Sequence, residues 1–147
     1  MDVGSGSGYP SSALSNFAGH RFAIDGVVCN SMEGFLQSLK FKNPEIQEEV
    51  CKLVGYAAKV RGKNKKWWKK QILYWRGKLV GRHTASYQVL LDRAYNEMFN
   101  QSESFRKALK ASGEATIEHS LGKRQPARTV LTRTEFCSRL VGLRRKM

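Results

Sequence analysis
In the segment Asn30-Ser31-Met32-Glu33-Gly34-Phe35-Leu36-Gln37-Ser38-Leu39-Lys40-Phe41, a single carboxylate stands at the margin of an apolar stripe. Met32, Phe35, Leu36 and Leu39 recur at i, i+3, i+4 and i+7, the spacing of one buried helical face. Glu33, Gln37 and Lys40 form a polar stripe directly beside it. A carboxylate among apolar neighbours has a raised pKa, which suits acid–base work near neutrality. The same letters also fit a capping box, with Asn30 as N-cap and Glu33 reaching back from N3. Both readings stand on this segment alone.

Other chemistries find little support. His20, His83 and His119 are far apart, with no partner ligands at zinc-like spacing, so no metal site is expected. The chain has no P-loop and no GxGxxG after a strand, and the early Gly-Ser-Gly-Ser-Gly run reads as a linker. No base is signposted for a Ser or Cys nucleophile. Cys29, Cys51 and Cys137 are an odd number without CxxC spacing. They read as reduced, core-filling thiols of a cytoplasmic protein. No cofactor is expected.

Charge is the strongest bulk signal. Lys and Arg number 26 against 12 Asp and Glu, a net charge of +14. From Tyr56 to Leu91 there are ten Lys or Arg and no acid. Such a surface attracts polyphosphate or nucleic acid without reading sequence. Lys65, Lys66, Lys69 and Lys70 are the phosphate contacts expected there, with Lys123 and Arg124 in the basic tail. From His119 onward the tail carries eight basic residues and one acid. Trp68, Ile72 and Trp75 share a helical face and are expected in the core. Trp67 lies off that face, which makes it the candidate for stacking on bases. The alternative is a solvated face over a Trp-filled core.

The positioning elements follow from caps and turns. At 147 residues the chain has the size of one domain. Residues 1–12 read as a flexible leader, and 13–147 as a single domain. Asp25-Gly26 between two β-prone runs predicts a hairpin just before the Glu33 helix. Asn43-Pro44 opens a helix burying Ile46, Val50, Leu53, Val54 and Ala57 and fraying near Gly62. Thr84 caps a helix through Phe99 with Tyr87, Leu90, Leu91, Ala94 and Met98 inward. Ser102 caps the next, which Gly113 stops. A short β-like Ala115–Leu121 run and a Thr132–Glu135 capping box with the last helix complete the chain. The expected class is mainly α with a small β element (α+β): about five helices plus an N-terminal hairpin. No run approaches the ~20 apolar residues of a membrane span.

Two stretches together resemble the NADAR, or YbiA-like, family. "LSNFAGHRFAIDGVVCNSMEGFLQSLKF" is similar to its entry motif: an SNF segment, a β unit with a DG turn, then a helix starting S-x-E and running to Q-x-x-KF. The later run from "YWRGKLVGRHTASYQVLLDRAYNEMF" to "HSLGKRQPARTVLTRTEFCSRL" resembles the branch closing with HS-x-GK and TVLT-x-x-EFCSRL. The likeness extends from about Ala13 to Arg144. It implies hydrolysis of N-glycosides of phosphorylated ribose, with Glu33 as the catalytic carboxylate.

The chain departs from riboflavin-type members of that family. They carry a tryptophan ahead of the central helix and a late D-x-x-WG-x-G segment, whereas no tryptophan follows Trp75 here. Arg82, His83 and the pair His119-Ser120 are the nearest occupants of those positions. In the mechanism that fits these residues, Gln37 orients Glu33 or a ribose hydroxyl, and Asn16 binds ribose hydroxyls or water. Lys40 and Arg82 neutralise phosphate, while His83 and His119 transfer protons or bind the base. The resemblance implies one of two substrate classes, riboflavin-pathway intermediates or an ADP-ribose moiety on guanine in nucleic acid; a free metabolite hardly requires a charge of +14, so the second is the expected one. The alternatives are phosphoribosylated riboflavin-pathway intermediates and a non-catalytic module binding ADP-ribose or nucleic acid.

Overall fold
The computed structural model describes all 147 residues. A one-turn helix α1 (Ser11–Leu14) leads to the hairpin β1 (Phe22–Ile24)–β2 (Val27–Cys29). Next come α2 (Met32–Ser38), α3 (Pro44–Cys51), α4 (Gly55–Gly62) and a 3₁₀ turn over Trp67–Lys69. A second hairpin, β3 (Ile72–Trp75)–β4 (Lys78–Gly81), precedes α5 (Ala85–Gln101), α6 (Glu103–Ala111) and α7 (Arg133–Arg144). The class is α+β, as expected, with seven α-helices and two separate two-stranded antiparallel sheets. No helix is long and apolar enough to cross a membrane.

The caps fall largely where the residue types place them. Asn43 accepts from the N–H groups of Glu45 and Ile46, Thr84 from Tyr87 and Ser102 from Phe105. Thr132 and Glu135 form the reciprocal capping box of α7. At α2 the expectation is corrected: the N-cap is Ser31, whose hydroxyl accepts from Gly34 N–H. Glu33 is therefore at N2 and is not the reciprocal arm of a capping box.

Three other expectations change. The helix expected from Asn43 to Gly62 is two helices, broken where Gly55 takes φ +60°. That left-handed geometry suits glycine and turns α4 back toward α2. The tryptophan segment is a 3₁₀ turn and a hairpin, since Arg76 and Gly77 both have positive φ (52° and 80°) and make a tight turn. Trp75 alone of that set is buried, while Trp68 is 53% exposed. Finally, the segment expected as a flexible leader is built into the fold. Val3 is fully buried, its N–H donates to Glu118 O at 2.8 Å, and Asp2 pairs with Glu118 in a β-bridge.

The core sits between α2, the two hairpins and the α5–α7 layer. Phe35 meets Trp75 edge-on at 5.0 Å between ring centroids. The Trp75 indole donates to Asp25 at 2.8 Å, tying one hairpin to the other. Buried Gln47 bridges the end of α2 to β3, donating to Ser38 O and Tyr74 O and accepting from Arg76 N–H. The tightest approach to backbone is at Gly34 in α2, where an added Cβ would lie 2.7–3.0 Å from the carbonyl oxygens of Leu53, Cys51 and Val50. Those atoms are backbone and cannot swing away. Gly34→Ala is expected to destabilise the protein by about 1–3 kcal/mol, read as a lower urea midpoint with an unchanged slope.

Candidate active site
One cavity of about 510 Å³ opens beside α2. Its walls come from the residues after Val3, the α1–β1 loop, α2, α4, the Trp67 turn and the chain from His119 to Leu131. Glu33 is its only acid, facing Lys40, Lys59, Lys63, Lys123 and Arg128. The arrangement suits an anionic ligand carrying a group that reacts at the carboxylate.

Two bonds hold Glu33 in place. Its N–H donates to Asn16 O at 2.9 Å, and its carboxylate accepts from Gln37 Nε2 at 2.9 Å, one turn along α2. Burial pushes the Glu33 carboxyl above its ordinary value of 4.5, more strongly than Gln37, Lys40, Lys59 and His119 pull it down. Burial likewise lowers Lys40 from its ordinary 10.5, opposed by the attraction of Glu33. Lys40 Nζ makes a long bond of 3.4 Å to Gly62 O. The Gln37 amide oxygen is buried without a partner and packs against Gly62, where a Cβ would stand 2.0 Å from it. With that oxygen pressed against glycine, the amide presents its NH₂ to Glu33.

Asn16 and His119 are oriented by neighbours outside the cavity. The Tyr95 hydroxyl, in the core, donates to Asn16 Oδ1 at 2.7 Å, so the amide NH₂ of Asn16 is left for a ligand. His119 Nδ1 lies 2.7 Å from Val3 O. A carbonyl only accepts, so Nδ1 carries hydrogen and Nε2 is the free nitrogen. The His119 ring rests edge-on against Phe136 at 5.0 Å, and Gly122 leaves it room, since a Cβ there would meet ring Cδ2 at 2.5 Å.

Of the residues read from the sequence, Asn16, Glu33, Gln37, Lys40, Trp67, His119 and Lys123 line this cavity. Ser120 does not: its N–H and hydroxyl both donate to Asp2, holding the first residues against the His119 wall. His83 is exposed and bonds Gln71. Lys65, Lys66, Lys69, Lys70 and Arg124 are exposed outside the cavity. His20 is buried elsewhere, between Ala13 O and Ser104. Lys59, Lys63, Arg128 and the Gly4–Ser5 backbone are wall components that sequence reasoning did not single out. Lys59 and Lys63 are one turn apart on α4, but without the break at Gly55 their direction is not readable.

Arg82 is the clear correction among the phosphate ligands. It is 1% exposed and forks onto both Glu135 oxygens at 2.7 and 3.0 Å, while its Nε donates to Thr129 O. Its guanidinium also lies 4.8 Å from the Tyr87 ring centre. Every face of the cation is used in holding α7 and the Thr129 chain to β4. Burial raises the Glu135 carboxyl, but Arg82, Thr132 and Gln88 outweigh it and bring it down to about 2. A depressed carboxyl stabilises the fold above its unfolded value near 4.5, and that contribution is lost as pH falls toward about 2. Arg82→Ala is expected to cost about 3 kcal/mol by chemical denaturation at neutral pH, because it strands a carboxylate. The deficit relative to wild type shrinks as pH falls through that window.

The family model for bacteriophage protein GP30.3 matches residues 8–145. A 17.1 kDa uncharacterized protein from the Gp30–rIII intergenic region of Enterobacteria phage T4 is 36% identical over 138 residues, which covers 92% of this chain and 91% of that one. Among solved structures, the NMR structure of E. coli YbiA is similar with a TM-score of 0.66 at 18% identity, covering 99% of this chain and 83% of that one. That likeness establishes a shared fold. The chain belongs to the bacteriophage GP30.3 family and has a YbiA-like fold.

Proposed function
We propose that the cavity is the active site of an N-glycosidase that releases ADP-ribose from guanine in nucleic acid, with Glu33 as its catalytic carboxylate. The observation that carries this reading is a half-buried carboxylate, held by Gln37 and Asn16, alone among five cavity cations. The cations suit a diphosphate, and the carboxylate suits the positive charge that develops on a ribosyl ring as its C1–N bond breaks. Half-buried Trp67 offers a flat wall for a base.

In this mechanism the ligand phosphates lie toward Lys40, Lys59, Lys63, Lys123 and Arg128. Asn16 donates to a ribose hydroxyl. As the glycosidic electron pair leaves with the base nitrogen, ionised Glu33 stabilises the oxocarbenium-like sugar and takes a proton from the attacking water. Water oxygen becomes the new C1 hydroxyl. The departing nitrogen gains a proton, and Nε2 of His119 is the ring atom free to supply it when the imidazole is charged. The +14 charge favours a substrate borne on a polyanion over a small metabolite.

The test is release of free ADP-ribose from guanine-ADP-ribosylated single-stranded DNA. Wild type is expected to release it, with weaker activity at high salt, and Glu33→Gln to lose at least about a hundredfold. Since the ionised form of Glu33 acts, kcat/KM falls as pH drops through a value above 4.5. Binding without release in wild type would instead support a non-catalytic module, and salt-insensitive release from small phosphoribosyl amines a metabolic glycosidase.

A further inference from the structure
Two large aromatic side chains lie on the surface within the acid-free stretch, both close in sequence to cavity residues. Tyr56, in the first turn of α4, is 70% exposed. Lys59 and Lys63, three and seven residues on, follow it along one helical face and line the cavity. In the 3₁₀ turn that follows α4, Trp68 is 53% exposed, while its neighbour Trp67 lines the cavity. Lys69 Nζ lies 5.9 Å from the centre of the Trp68 ring. Lys65, Lys66, Lys69 and Lys70 are all exposed around it. The core uses neither aromatic.

We propose that this face holds a single strand of nucleic acid across the cavity mouth, with Tyr56 and Trp68 stacking on the bases flanking the one held inside. The proposal rests on the reading of the cavity given above, and it places the strand's grip outside the cavity. Aromatics interleaved with lysines match a strand whose bases offer flat faces and whose backbone offers one charge per nucleotide. A base paired in a duplex is held in its stack and cannot enter the cavity that Glu33 lines, so a single or opened strand is the form that fits. An anionic membrane would meet the same charges. It favours aromatics gathered on one convex ridge, whereas these two stand on different elements beside a concavity.

The experiment measures binding of an unmodified oligothymidylate of about twelve nucleotides by fluorescence anisotropy across a salt series. Trp68→Ala and Tyr56→Ala are each expected to weaken binding about tenfold with an unchanged salt slope, and Trp68→Phe to restore most of it. Lys66→Ala and Lys70→Ala are expected to lower the slope by about 0.7 each. All four side chains are exposed, and thermal melts matching wild type verify that the variants fold. Affinity for free ADP-ribose is expected to stay unchanged in every one of them. Aromatic variants that bind like wild type overturn the proposal, as does equal affinity for the matching duplex. Preference for phosphatidylserine vesicles over the oligonucleotide overturns it too. Loss of ADP-ribose release in Glu33→Gln with unaltered oligonucleotide binding separates the chemistry from the grip, so either reading can fail alone.

Discussion
The carbonyl oxygens of Val50, Cys51 and Leu53 press against the Cα of Gly34, and α2 can seat at the α3–α4 corner only because no side chain intervenes. That close approach determines most of what surrounds the cavity. It brings Gly62, at the end of α4, against the Gln37 amide, which leaves Gln37 donating to Glu33. It also turns Lys59 and Lys63 toward the carboxylate that α2 presents. A side chain at position 34 would push α2 away from this corner and move these groups apart.

Within the site, burial and charge oppose one another. Five nearby cations ought to lower a carboxyl, as Arg82 lowers Glu135, yet Glu33 moves upward. The difference lies in contact. Glu135 accepts a forked guanidinium, a backbone N–H and the Gln88 amide, whereas Glu33 has one amide bond and the cations stand off across the cavity. Direct hydrogen bonds from a cation offset desolvation, while separated charges only reduce it. The two acids show what direct and separated cations do to a carboxyl on one scaffold.

Much of this could be read from residue types. Asn43-Pro44, Thr84, Ser102 and the Thr132–Glu135 box encode helix starts through side-chain hydrogen bonds that need no tertiary context, and Asp25-Gly26 encodes its turn similarly. Glu33 was visible because an acid beside an apolar helical face is a local pattern. What escaped was set by packing. Arg76-Gly77 turns as tightly as Asp25-Gly26, but an arginine at positive φ is not a turn signal, so the tryptophans were aligned at helical spacing. Arg82 looked like a free cation because its partner is 53 residues away. Val3 looked like part of a linker because the backbone it pairs with lies beyond residue 115.

That last contact joins regions of the chain made at very different times during synthesis. Val3 orients His119, Asp2 holds Ser120, and Gly4 and Ser5 close the wall between them. Every one of these contacts spans more than a hundred residues, the most expensive kind of loop to close and the kind that lowers folding rates. The helical corner around Gly34 uses contacts within about thirty residues and can form while the chain is still emerging. Glu33 is therefore seated early in a half-built cleft, and the histidine wall is added only once the chain around residue 119 is available.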